Sequence, residues 1–181
     1  MENIQTKAFA GAFLRYENEV LLMHRSIHKK IAPGLWAGIG GGILESEMSS
    51  PITACLREIE EETGITEAQI EALNLRYFVL LDRVDNRGTL DSVYYFAGVL
   101  KEKPPLIETP EGKLHWGKLK DGVNLPMSTF MKAIYLHWIE NLHDTNIHCY
   151  VGNGIKPINY KEDNYYESSL NRRRGIGTRS L

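Results

Sequence analysis

Cysteine is scarce in this chain, with Cys55 and Cys149 the only two in 181 residues. Two cysteines make no disulfide framework, and neither stands at metal-ligand spacing, which excludes stapled secreted scaffolds and cysteine-held zinc modules. Long apolar runs are missing as well. No stretch reaches the roughly 18 apolar residues that a membrane-spanning helix needs. Charge of one sign is lacking too. The 21 Lys and Arg oppose 23 Asp and Glu for a net charge of −2, and the pI is near 6.3. No global field then draws in a nucleic-acid polymer, and an anionic substrate has to be handled locally, by a metal or a few basic groups. Internal repeats and low-complexity linkers are absent. Met1 to Lys7 is polar and has no apolar stretch of the secretory kind. A reducing cytoplasm is the expectation.

What is present is an ordinary globular composition, 43% hydrophobic and 24% charged, long enough for one domain. Ala8 to Arg15 and Val20 to Arg25 read as paired strands around Glu17-Asn18-Glu19. Leu35 to Ile39 reads as a short strand running into Gly40-Gly41-Gly42. Pro51 to Thr63 reads as a helix, with Ser50 as N-cap, Pro51 at the first helical position and Gly64 as left-handed cap. Leu73 to Val84 and Thr89 to Leu100 read as long strands around residues 85–88, and Leu114 to Leu119 as a short one. A second helix is predicted over Ser128 to Leu142, burying Met131, Ile134, Tyr135 and Trp138. Strands at Ile147 to Val151 and Ile155 to Tyr160 follow. The pattern is α+β, a mixed sheet covered by helices. The domain is expected over residues 1–160. Residues 161–181, with Arg172-Arg173-Arg174, read as a C-terminal tail.

On the first helix, at about 100° per residue, Ile52, Cys55, Leu56, Ile59 and Thr63 fall on one arc. Cys55 thus reads as core, not nucleophile. Glu58, Glu61 and Glu62 fall on another arc. Like charges at this spacing repel by about 0.2–0.5 kcal/mol per pair, and acids are disfavoured near a helix C-terminus. A divalent cation reverses both effects, and oxygen ligands of this kind suit Mg²⁺ or Mn²⁺. A solvated acidic face is the alternative.

The surrounding residues weigh against that alternative. Gly41, five residues, Glu47, nine residues, then Arg57-Glu58-Ile59-Glu60-Glu61-Glu62-Thr63-Gly64-Ile65 resembles the Nudix box of MutT-like pyrophosphohydrolases, G-x5-E-x7-R-E-U-x-E-E-x-G-U. Only the spacer departs, with two extra residues in the loop at Met48-Ser49-Ser50-Pro51, which leaves the helical positions in register. The resemblance implies a Nudix-type α/β/α sandwich with a catalytic helix after a Gly-rich loop. It implies Mg²⁺, with Mn²⁺ as substitute, on Glu58, Glu61 and Glu62, and an Arg57–Glu47 pair holding loop to helix. Gly41 and Gly42 would let the backbone approach metal and phosphates. The implied reaction is attack of water on a phosphorus of a nucleoside diphosphate derivative.

Pro110-Glu111-Gly112-Lys113-Leu114-His115-Trp116 resembles the E-G-x-L-x-W stretch of the 8-oxo-dGTP diphosphatase branch, making Glu111 the candidate base or extra ligand. By the same resemblance Arg25 would contact phosphate. Lys29 and Lys30 read as solvated. Phe9, Phe13, Trp36, Met127, Phe130 and Tyr135 are the candidates for an apolar base pocket, with Phe13 and Met127 foremost. The segment Ser128-Thr129-Phe130-Met131 carries no acid where that branch often has one. The implied function is hydrolysis of a nucleoside triphosphate such as 8-oxo-dGTP to monophosphate and pyrophosphate. ADP-ribose or another nucleoside diphosphate derivative is the alternative substrate, and a non-catalytic binding module the alternative class. The implied partner is a small nucleotide, with no nucleic-acid polymer and no membrane, and a homodimer is left open.

Overall fold

The computed structural model describes residues 5–82, 89–152 and 158–159. The expected turn at 85–88 and the tail beyond 160 lie outside them. The strands are β1 (Gln5–Tyr16), β2 (Glu19–Arg25), β3 (Trp36–Ala37), β4 (Ile39–Gly42), β5 (Ile70–Asp82), β6 (Thr89–Leu100), β7 (Gly112–Lys118), β8 (His148–Gly152) and β9 (Ile158–Asn159). The helices are α1 (Pro51–Thr63) and α2 (Thr129–Glu140). The single strand expected before the glycines is split into β3 and β4 at Gly38. A Cβ there would lie 2.4 Å from the Ala12 carbonyl oxygen, so only glycine lets the chain pass this close to β1.

The sheet runs β3-β2-β1-β6-β5-β8-β9, with β4 also on β1 and β7 also on β2. It is mixed. β1 pairs parallel with β6, and β5 parallel with β8, while β1–β2 and β5–β6 are antiparallel. Alternation sends Ala10, Ala12 and Leu14 of β1 to the α1 face and Phe13 to the α2 face. Each face therefore builds its own core. Cys55 and Ile59 of α1 join Leu21, Met23 and Phe96 on one side. Ile134, Tyr135 and Trp138 of α2 join Tyr77, Val79 and Tyr95 on the other. This is the α/β/α sandwich.

In one strand the alternation changes phase part-way along. In β5, Leu73 and Leu75 pack toward α1, whereas Tyr77, Val79 and Leu81 pack toward α2. All five are odd-numbered, so strict alternation would keep them together. The register shift between Leu75 and Tyr77 inserts Arg76 as an extra residue and reverses the parity.

Helix α1 ends as its sequence dictates. Gly64 is left-handed at φ 71 and its N–H donates to the Glu60 carbonyl at 2.8 Å. The N-terminus differs in detail from expectation. Ser50 holds the cap position, but its hydroxyl meets the Thr53 hydroxyl at 2.9 Å rather than a backbone N–H. The buried face is also rotated. Ile52 is 40% exposed, while Ala54 and Glu62 are buried with Cys55, Ile59 and Thr63. The cause is β4, whose glycines carry no side chains and let the helix lie down on its Glu58–Glu62 side.

Candidate active site

The loop into α1, the glycines of β4 and the inward side of the helix meet around one guanidinium. Arg57 donates through Nε and one terminal nitrogen to both oxygens of Glu47, at 2.8 and 3.0 Å. Its other terminal nitrogen reaches Glu58 at 2.8 Å and Glu61 at 3.1 Å, and a further bond goes to the Gly42 carbonyl at 2.9 Å. The pairing of Arg57 with Glu47 that the resemblance implies is formed, despite the two extra residues in the spacer. The Arg57 hydrogen bonds, helped by the Leu44 N–H, hold the Glu47 carboxyl below its ordinary range. Glu47 in turn keeps Arg57 firmly protonated. A planar fork is needed here, because one cation ties three carboxylates and a carbonyl together.

Glu58 and Glu62 turn inward. They line a recess with Gly40, Gly41, Gly42, Arg25 and, from the loop before β7, Glu111. At Gly41 a Cβ would stand 2.5 Å from the Glu58 carboxylate, so any side chain there would displace that carboxylate. At Gly40, φ is +151 and a Cβ would stand 2.4 Å from the Ala10 carbonyl oxygen. The Gly40 N–H donates to Glu62 at 3.0 Å. Burial pushes Glu62 up to about 7, with the charges of Glu58 and Glu111 adding to the rise and the Gly40 hydrogen bond opposing it. Burial also raises Glu58, against the pull of Arg57. Three carboxylates thus share one recess at an electrostatic cost that a bound cation would remove.

Glu61 does not join them. Its side chain is 59% exposed and paired with Arg57 on the outer side of the helix. Among the described residues, no three His, Cys, Asp or Glu side chains stand closely enough to enclose an ion by themselves. Glu58 and Glu62 offer hard carboxylate oxygens, the donors that divalent ions such as Mg²⁺ take alongside waters and phosphate oxygens. Glu58 and Glu62, with Glu111 opposite, are the residues that could hold such an ion.

Lys29, expected to be solvated, is ion-paired with Glu111, and both side chains are only about one-third exposed. Lys30 lines the same recess. Arg25 also faces it, while its Nε donates to the Ile31 carbonyl at 3.1 Å. The signal for Lys29 lay in the sequence, as a basic loop directly following Arg25.

Next to the recess lies a second, more apolar one, lined by Phe9, Arg25, Trp36, Gly41, Phe130 and Met131 among others. Trp36 is held flat by His24, stacked at 5.0 Å. Three of the six pocket candidates, Phe9, Trp36 and Phe130, are therefore in place. Phe13 is not. It is fully buried, stacked on Trp138 at 4.9 Å, because β1 alternation turns it into the α2 core. Tyr135 is likewise core, its hydroxyl donating to the Leu119 carbonyl at 2.7 Å. Met127 is bridged to Trp36 beside the pocket but does not line it. Cys55 is core as read, and burial pushes its thiol up to about 12.

The sequence matches the family model described as NUDIX domain over residues 5–138. No curated protein matches it. Among solved structures, a MutT protein from Bacillus halodurans is 23% identical, with a TM-score of 0.66 over 84% of this chain and 94% of that one. The NUDIX domain of Shewanella oneidensis NrtR, complexed with ADP ribose, is 20% identical, with a TM-score of 0.60 over 78% of this chain and 90% of that one. A C. elegans Ap4A hydrolase in a binary complex is 20% identical, with a TM-score of 0.59 over 75% of this chain and 97% of that one. At such identities these likenesses show the fold.

Proposed function

Because the chain belongs to the NUDIX domain family, we propose that it is a pyrophosphohydrolase, cleaving a nucleoside triphosphate to the monophosphate and pyrophosphate with Mg²⁺. One observation carries the reading. Glu58 and Glu62 converge with Glu111 on a glycine-walled recess that opens beside an apolar pocket.

The resident groups divide the work. Glu58 and Glu62 would hold the ion, and Glu61 is kept in that set by resemblance alone. Bound there, a divalent ion neutralises phosphoryl charge and lowers the pKa of a coordinated water. Arg57 is a positioning residue, since it fixes the Glu58 carboxylate and clamps the loop at Glu47. Gly41 and Gly42 allow the phosphate chain close to the backbone. Arg25 lines both recesses and so binds phosphate where the two meet. Glu111 accepts the proton of the attacking water. Trp36, Phe9 and Phe130 hold the base.

The substrate we propose is a purine triphosphate of the 8-oxo-dGTP kind, supported by Glu111-Gly112-Lys113-Leu114-His115-Trp116 and the apolar pocket. A second reading, ADP-ribose or a related diphosphate, is favoured by one feature: Ser128 to Met131, which borders the base pocket, offers no carboxylate to the N1–H and amino group of a guanine edge, which adenine does not present. HPLC of products from dGTP, 8-oxo-dGTP, ADP-ribose and a dinucleoside polyphosphate, each with Mg²⁺, decides. Monophosphate from the triphosphates is the expected result. Cleavage of ADP-ribose alone overturns the substrate choice, and no turnover of any of them overturns the enzyme.

A further inference from the structure

Resting on the hydrolase reading, we propose that Lys29 is a phosphate-responsive switch. In the free enzyme its ammonium neutralises Glu111, and on arrival of a diphosphate it transfers to the phosphate, leaving the Glu111 carboxylate free.

The recess holds Glu58, Glu62 and Glu111 opposite Arg25, Lys29 and Lys30, so the balance of charge inside it is set by which base faces which acid. Glu111 comes from a different part of the chain than the helical pair, and among the described residues Lys29 is the cation that pairs with it. Without that ammonium, three carboxylates would face one another in the metal-free recess. Lys29 therefore supplies part of the positive charge the site needs while it waits.

The pair is built to exchange. Both side chains are about one-third exposed, and ion pairs open to solvent in this way are weak and screened by salt. A diphosphate offers the ammonium more than one negative oxygen and stronger charge-assisted hydrogen bonds. The move needs no rearrangement of the backbone. The stem of the loop is fixed by the Ser26 N–H on the Glu111 carbonyl at 2.9 Å and the Arg25 N–H on the Leu35 carbonyl at 3.0 Å. Arg25 Nε braces the far side at Ile31. Within that frame the Lys29 side chain has a flexible four-carbon stem and can swing, which a planar guanidinium pinned to a carbonyl cannot do as readily.

The test uses the full chain in EDTA and inorganic pyrophosphate as the probe, which is common to every substrate class considered and requires no turnover. Calorimetry of the wild type, Lys29→Met, Glu111→Gln and the double variant forms a cycle. Lys29→Met is expected to weaken pyrophosphate binding about fivefold, and Lys29→Arg to restore it. Glu111→Gln is expected to tighten it about fivefold in the wild-type background, because Lys29 is released in advance, and much less in the Lys29→Met background. Strict additivity of the two substitutions, no effect of Lys29→Met, or no pyrophosphate binding by the wild type overturns the exchange. Thermal melts of the four proteins, expected to coincide within a few degrees, exclude misfolding as the cause. Failure of the hydrolase reading is seen separately, as absence of Mg²⁺-dependent turnover.

Discussion

At the residue scale, Glu62 carries the most specific consequences. An ordinary glutamate titrates near 4.5, and burial moves this one to about 7. In the metal-free protein, the unfolded chain loses that proton near 4.5 while the folded chain keeps it until about 7. Between those values the folded state binds more protons, so stability falls as pH rises, and above 7 the deficit reaches about 3 kcal/mol. Glu62→Gln has no charge to bury. In EDTA it should match the wild type near pH 4 and exceed it near pH 8, as read from urea midpoints. Adding Mg²⁺ at pH 8 should raise the wild-type melting temperature and leave that of Glu62→Gln nearly unchanged. The same substitution should lower Mg²⁺-dependent kcat by more than about a hundredfold, since loss of a supporting residue alone costs 10- to 100-fold. Arg57→Lys tests that supporting role. It keeps the charge and loses the fork on Glu47, and a fall in kcat of about 10- to 100-fold with little change in fold is expected.

At the element scale, the glycines of β4 decide how α1 lies. Gly41→Ala places a methyl 2.5 Å from the Glu58 carboxylate, which is a side chain that can move. It should therefore cost activity more than stability. Gly40→Ala drives its methyl against the backbone of Ala10 and Gly11, at 2.4 Å, with φ at +151. It should cost stability, on the order of 2–4 kcal/mol in chemical denaturation. The same pair of elements shows what could be read from the sequence. Helix α1 was legible to the residue at its C-terminus, because a left-handed Gly64 leaves a local signature. So were the buried residues of α2, because Met131, Ile134, Tyr135 and Trp138 repeat at helical spacing. The rotation of α1 was not, because it follows from what β4 lacks and not from anything in the helix. Phe13 was misplaced for a related reason. An aromatic in a strand reads the same whether it faces a core or a pocket, and only the sheet's layers tell them apart. Lys29 escaped because a basic loop does not reveal which acid it will meet.

At the scale of the whole molecule, the two layers are separate cores on opposite faces of one sheet. Ile59→Ala empties one and Ile134→Ala the other, and each should cost about 2–5 kcal/mol. They share the strands of one sheet, however, and that decides how the loss is felt. Each variant should shift one cooperative melting transition rather than split it in two, whether followed by circular dichroism or by tryptophan fluorescence. In β5 the bulge at Arg76 is what puts Leu73 and Leu75 on one layer and Tyr77, Val79 and Leu81 on the other, although all five are odd-numbered. Excising Arg76 would make Leu75 and Tyr77 neighbours, still opposite Phe96 and Tyr95 and still on opposite faces, and would remove only the Arg76 contacts to Asn141, Asp144 and Asn146. A chain shortened by that one residue should thus keep both layers, and its urea midpoint should fall no further than that of Arg76→Ala, whereas an extra residue inserted elsewhere in the strand would turn every following side chain to the wrong face.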